Sequence, residues 1–367
     1  MASSTVYHEC ESNLDLGFAE DVPTWILASR FFRSKMGGRP SWLNLADIPK
    51  NEDLQCPTCS ACLTFLLQIY APIESNPDCF HRTIFIFMCL NPGCHQGSAG
   101  QGFLVLRNQL SRKNDFFPFE PPVESPDWKC ELNVGKFNQV CRVCGLRGSK
   151  KCSGCGKVNY CSREHQTTDW KMRHKTECKS EEFTFVFNEN EDICENALLL
   201  HKEIVMTGDD EEISDSDEDE SREVNIDAEI AKIKQLEQNG EVKLSSADLA
   251  EFAEEDQVAK DKHFKRFQKV VKAAPDQIIR YQKASEPLWV STENMPDTVD
   301  NCQYCGSRRV FEFQVMPQLL SILKLDKSAN EESIDWGTLL VYTCEKSCSS
   351  ALEPAYKKEF LWRQNFS

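Results

Sequence analysis

No apolar run in this chain approaches the roughly 18–20 residues that a membrane-spanning helix needs. The first residues, Met1 to Asn13, lack the basic-then-apolar order of a secretory signal. Both absences set the expectation of an intracellular protein whose thiols stay reduced. Enzyme signatures are missing as well: no nucleophile elbow, P-loop or dinucleotide fingerprint occurs. His8, His81 and His95 stand isolated and read as surface or packing residues, with His95 an alternative ligand to Cys94. There is no thioredoxin-like βαβ setting to turn a CxxC pair into a redox dithiol. A non-enzymatic protein is expected.

Cysteine, by contrast, is abundant. Of 19 cysteines, 14 fall in close pairs or in one central cluster, a usage that in a reducing compartment points to metal rather than disulfides. Cys10, Cys62, Cys79, Cys130 and Cys194 are left over and read as ordinary free thiols. The net charge of −16 is also unevenly spread. Between Glu181 and Lys262 stand 27 acidic and 7 basic residues, so the remainder is mildly basic. Within that insert, Asp209–Glu212 and Asp217–Glu220 flank Ser214 and Ser216. Such a run stays solvated; it suits either an acidophilic kinase or a passive linker role. Apolar residues at helical spacing from Ile226 to Val258 allow short amphipathic helices. A firmer helix follows, with Phe264, Phe267 and Val271 on one face and a solvated stripe of lysines and Arg266 around it.

The chain of 367 residues also repeats itself. Pro40-Ser41-Trp42, Pro49, Cys56-Pro57-Thr58-Cys59 and an apolar run holding Gln68 are matched by Pro287-Leu288-Trp289, Pro296, Cys302-Gln303-Tyr304-Cys305 and a run holding Gln314. Each copy continues with an apolar strand ending in cysteine, Cys89 or Cys344, then a further thiol, Cys94 or Cys348, and closes on Arg107-Asn108 or Arg363-Gln364. A CxxC turn, paired strands and a second cysteine pair form a zinc-ribbon pattern. Cys56, Cys59, Cys89 and Cys94 are candidates for one Zn²⁺ and Cys302, Cys305, Cys344 and Cys348 for another; buried thiols without metal are the alternative. Between the copies stand Cys141, Cys144, Cys152, Cys155, Cys161, His165, His174 and Cys178, enough ligands for two closed tetrahedral sites. Linear and interleaved pairing use the same residues. Glu164 to Lys175 has helical periodicity, which presents both histidines from one segment. The segment 138–179 carries a charge of +7. It lacks the spacing of a base-reading two-Cys, two-His finger, so direct nucleic-acid binding is not expected.

The Cys141–Cys178 segment, with Tyr160-Cys161-Ser162 and Gln166-x-x-x-Trp170, resembles a MYND zinc finger. It departs from that pattern in having His165 where most have cysteine and one extra residue between His165 and His174. Leu16-Gly17-Phe18-Ala19-Glu20, Gly37-Gly38-Arg39-Pro40-x-Trp42, Arg107-Asn108-Gln109, Lys113-Asn114-Asp115-Phe116, Phe313–Leu320 and Asp335-Trp336-Gly337 resemble the programmed cell death protein 2 family. The resemblance implies interleaved pairing, with Cys141, Cys144, Cys161 and His165 on one ion and Cys152, Cys155, His174 and Cys178 on the other. It implies an α+β fold in which duplicated ribbon-like halves, 14–137 and 261–367, form one split β-rich domain. The finger, 138–179, and an acidic flexible linker, 180–260, lie between them. It implies a dedicated chaperone of a small-subunit ribosomal protein in 40S biogenesis, cytoplasmic and nuclear, linked to apoptosis and to stem- and progenitor-cell proliferation. MYND fingers also bind proline-rich peptides, and Gln166 and Trp170 match that groove. The alternative function is thus an adaptor that recruits corepressor or chromatin partners, and a purely structural Trp170 is the alternative role for that residue.

Overall fold

The computed structural model describes residues 13–96, 100–126, 132–189, 202–209, 261–325, 333–349 and 353–366. Its strands are β1 (Leu14–Glu20), β2 (Lys35–Met36), β3 (Thr64–Tyr70), β4 (His81–Met88), β5 (Phe103–Leu110), β6 (Lys150–Lys151), β7 (Asn159–Tyr160), β8 (Lys202–Asp209), β9 (Gln277–Tyr281), β10 (Arg309–Val315), β11 (Thr338–Cys344) and β12 (Lys357–Gln364). Ten of them close into an antiparallel barrel in the order β1-β8-β2-β3-β4-β5-β12-β11-β10-β9, and β6 and β7 form a separate hairpin. Among the described residues the α-helices are short: α1 (Val134–Phe137), α2 (Arg163–Asp169), α3 (Lys175–Glu177), α4 (Lys262–Ala273) and α5 (Gln318–Leu323). The architecture is therefore mostly β, where α+β was expected. Closing the sheet satisfies its inner apolar face, and the finger covers the outer face of the N-terminal half, which leaves little there for helices to bury.

Exchanging β1–β5 with β8–β12 leaves the barrel order unchanged. The last strands pair with each other, Arg107 opposite Lys357, and the first strands pair likewise, Leu14 opposite Asp209. Each first strand also crosses to the other set: β1 pairs β9, and β8 pairs β2. Corresponding residues do the same work. Gln68 accepts the Ser41 amide at 2.8 Å, and Gln314 accepts the Leu288 amide at 2.8 Å, so each glutamine pins the middle of its Pro-x-Trp. Asn108 and Gln364 similarly accept the amides of Asn44 and Val290. A register shift falls at Phe65/Leu67 in β3 and at Phe311/Phe313 in β10.

Strands β4 and β11 are buried along their whole length, which is why they read as near-continuous apolar runs. Ile84, Ile86 and Met88 join Phe313, Val315, Leu339 and Val341 inside the barrel. Phe85 and Phe87 face outward into a second cluster with Trp42 and the finger's Val143, Leu146 and Tyr160. Each such phenylalanine contributes roughly 1.5–3 kcal/mol on burial. At Gly17 the barrel closes so tightly that a Cβ would lie 2.8 Å from Ile279 and 2.9 Å from Ile204. Helix α4 seats Phe267 and Val270 on Leu288, Val290 and Met316, with Phe264 and Val271 at the margin.

The flexible linker expected over 180–260 needs correction at both described parts. Lys202–Asp209 is a full barrel strand, paired along its length with β1. Phe183, Phe185 and Phe187 pack into the finger–barrel cluster, and the Glu189 carboxylate accepts the Ser29 amide at 2.9 Å. These apolar side chains bury usefully despite the acidic composition around them. His8, Cys10, Cys130, Cys194, Ser214, Ser216 and the stretch Ile226–Val258 lie outside the described residues.

Candidate metal centres and the finger–barrel junction

Four CxxC turns share one backbone design. In each, the first cysteine's carbonyl accepts the amide four residues on: Ser60, Gly145, Gly156 or Gly306, at 2.8–2.9 Å. Those four residues have φ of 60°, 72°, 66° and 72°, the left-handed region that glycine enters at least cost. Three turns therefore read CxxCG, and Ser60 bears the strain in the fourth. The turn aims amides at sulfur. Burial opposes ionisation of Cys56 and Cys152, but the amides of Cys59 and Thr58, and of Cys155 and Gly154 together with His174, outweigh it. The two thiols fall to about 7 and about 6. At Cys305 the Ser307 hydroxyl and amide bring the thiol to about 6.

The ligand atoms gather into four sets, each within 4.8 Å: Cys56, Cys59, Cys89 and Cys94; Cys141, Cys144, Cys161 and His165; Cys152, Cys155, His174 and Cys178; and Cys302, Cys305, Cys344 and Cys348. The finger's pairing is thus interleaved. Sulfur–sulfur separations are 3.6 Å for Cys59–Cys89, 3.5 Å for Cys144–Cys161, 3.8 Å for Cys152–Cys178, 3.7 Å for Cys302–Cys348 and 3.5 Å for Cys305–Cys344. A tetrahedron of 2.3 Å zinc–sulfur bonds has edges of about 3.8 Å, whereas a disulfide measures about 2.05 Å. The donor sets fit Zn²⁺, and four protein ligands per set leave no position for a reacting water. Such ions are structural. His95 is not in the set beside Cys94; its Nε2 lies 2.7 Å from the Cys89 carbonyl, where it packs behind the site. Cys62, read as a free thiol, sits against Cys161, which together with burial pushes the Cys62 thiol up.

The finger's helical arm explains its extra residue. Helix α2, capped by the Ser162 hydroxyl, runs into a π turn over Trp170–His174 and then α3. A π turn absorbs one inserted residue in a helix, and His174 still reaches Cys155, its Nε2 3.5 Å from the sulfur. The buried Asp169 accepts from Tyr160 at 2.6 Å and from Arg173 at 2.9 Å, tying hairpin to helix. Trp170 is 36% exposed and rests edge-on against His174 at 5.9 Å, with the partly exposed Gln166 one turn before it.

The surrounding motifs hold the finger on the barrel, a role the sequence reading missed. Gly37 and Gly38, both at positive φ, turn the buried Arg39 toward the finger. Arg39 donates to the carbonyls of Val143 and Arg142 at 2.9 Å each and to that of Asn188 at 3.2 Å. Trp42 Nε1 donates to the Gly145 carbonyl at 3.0 Å, and the finger's Arg147 donates back to Ile48 at 2.8 Å. The glycine pair before Arg39 was the available signal.

Comparison with known proteins follows this layout. The N- and C-terminal domains of Programmed cell death protein 2 match residues 13–124 and 261–365, and a MYND finger matches 141–178. Programmed cell death protein 2 of Bos taurus is 38% identical over 367 residues, covering 96% of each chain. That of Mus musculus is 39% identical over 363 residues, again covering 96% of each. A Schizosaccharomyces pombe protein named Probable 20S rRNA accumulation protein 4 is 33% identical over 101 residues, 24% of each chain. No solved structure matches. With its barrel halves and its interleaved finger each matched in place, the chain belongs to the Programmed cell death protein 2 family.

Proposed function

We propose that this protein is a non-enzymatic chaperone that holds a small-subunit ribosomal protein for 40S assembly, working in cytoplasm and nucleus, with four structural zinc ions. The observation that carries the reading is the relative named for 20S rRNA accumulation, whose name points to ribosome biogenesis. Charge supports it: ribosomal proteins are basic, and an acidic partner shields such charges and speeds their capture. Barrel closure also bears on the client surface. Among the described residues every barrel strand has a strand neighbour on both sides, though β5 and β12 meet over three residue pairs only, so a client is expected to lie on a face rather than to add a strand. The matching strand order, turns and glutamine pins support descent of the two halves from one duplicated unit. Affinity isolation of the full chain followed by mass spectrometry tests the function. A stoichiometric basic small-subunit ribosomal protein is expected, and its absence under low-salt isolation contradicts the reading. Deleting 211–220 should weaken that capture most at low salt.

The second reading, an adaptor that recruits proline-rich partners, is favoured by the exposure of Trp170 beside Gln166. Trp170→Ala separates the two: an adaptor loses its partner, whereas a chaperone keeps its client.

A further inference from the structure

The two halves of the barrel present equivalent outer faces with unequal cover. In the N-terminal half Trp42, Phe65, Phe85, Phe87 and Leu106 lie beneath the finger. The corresponding residues of the C-terminal half are Trp289, Phe311, Leu340, Tyr342 and Trp362, with Phe360 alongside. This second cluster draws on the C-terminal half alone among the described residues. Phe311, Tyr342, Phe360 and Trp362 form a ladder with ring centroids 5.8, 5.9 and 6.4 Å apart. Trp289, Phe360 and Trp362 remain partly exposed.

The occupant of the first face shows what the second is suited to take. The finger is a basic segment that lays Val143 and Leu146 on the aromatic face, while its Asn138 and Arg147 donate to the carbonyls of Leu45 and Ile48 in the loop after Trp42. In the C-terminal half those loop positions are Thr292 and Met295. The loop carries Glu293, Asp297 and Asp300, all exposed, with no lysine or arginine from Ser291 to Asn301. It lies along the face, held by Trp362 Nε1 donating to the Asn294 backbone carbonyl at 2.7 Å and by Arg309 donating to the Asp300 backbone carbonyl at 2.8 Å. The acidic stretch rejoins the described chain at this rim, where the Asp261 carboxylate accepts the Thr292 amide at 2.7 Å and its hydroxyl at 3.0 Å. Lys358, at the other end of the ladder, is exposed, and Arg309 is tied to Glu359 at 3.0 Å.

We propose that the aromatic face of β10–β12, with its acidic loop, docks a basic segment of a partner protein that presents apolar side chains and arginine. This rests on the chaperone reading and names the surface that would serve it. The chain's own acidic stretch is disfavoured as occupant by like charge with Glu293, Asp297 and Asp300, and a second copy would oppose the same loop to itself.

The test uses the full zinc-loaded chain and a fluorescein-labelled 16-residue peptide that alternates arginine with leucine and phenylalanine. Fluorescence anisotropy should show binding that weakens tenfold or more, at low salt, in the triple variant Glu293→Lys/Asp297→Lys/Asp300→Lys. These exposed positions leave the core intact. Phe360→Ser should weaken binding as much, and a peptide with glutamate for arginine should not bind. Binding unchanged by the triple variant, or absent from the wild type, overturns the proposal while leaving the chaperone reading to be judged by its co-purifying protein. Tighter binding after deletion of 211–258 would assign the face to the chain's own segment. A wild-type dimer that Phe360→Ser dissociates would assign it to a second copy. Either result overturns the proposal.

Discussion

Arg82 and Glu312 are both fully buried and join β4 to β10, with Nη2 2.7 Å from Oε2. Glu312 also accepts from the hydroxyls of Tyr281, at 2.9 Å, and Thr343. Burial alone would raise its carboxyl; Arg82 and Lys283 instead hold it far below the usual range. Removing one member of such a pair strands the other charge, so Glu312→Gln is expected to cost about 3–5 kcal/mol. The double change Arg82→Met/Glu312→Leu should cost less, and urea midpoints of both variants check this. His81 gives a pH signature. Its ring stacks on Phe32 at 4.0 Å, and burial, then Arg112, lowers it from 6.5 to about 4. The unfolded chain therefore takes up the proton first, so this contribution is complete above pH 6.5 and is lost as pH falls toward 4. His81→Phe should flatten that limb of the stability curve, and an unchanged slope contradicts the assignment. At Ser60, φ is 60°, so Ser60→Gly should stabilise the protein by about 1 kcal/mol, read as a higher melting temperature.

At the scale of elements, the finger is a docked part of the barrel's outer core rather than a tethered module. Arg39→Ala removes two buried donations and a part-buried one and should cost about 1–3 kcal/mol. Hydrogen exchange should rise over 140–148 while zinc content stays constant; unchanged protection there contradicts the docking role. The ligands and the strands β3–β5 and β10–β12 were legible because cysteine spacing and apolar runs are local signals. Strand β8 was not. Lys202–Asp209 holds few apolar residues in an acidic neighbourhood, and its partner, β1, lies nearly two hundred residues away. The same holds for Arg82 and Glu312, whose pairing exists only once β4 and β10 are brought together. The eight finger ligands were plain in the sequence, but their alternation was settled by the fold, since either pairing uses the same residues.

At the scale of the whole molecule, the described residues hold four closed sets of metal ligands, at the ends of β strands and in the finger, and strands of the two halves pair at both seams. Losing one set should therefore destabilise both halves together: Cys302→Ser should remove one ion and lower a single cooperative transition. Bound metal would act on the fold itself, because sets without a water position would contribute by stapling short hairpins. The direct measurement is zinc stoichiometry of the intact chain by native mass spectrometry, with elemental analysis as calibration. Four Zn²⁺ per chain is the predicted result; two, confined to the finger, would show that the barrel's cysteine sets hold no metal and would contradict the account.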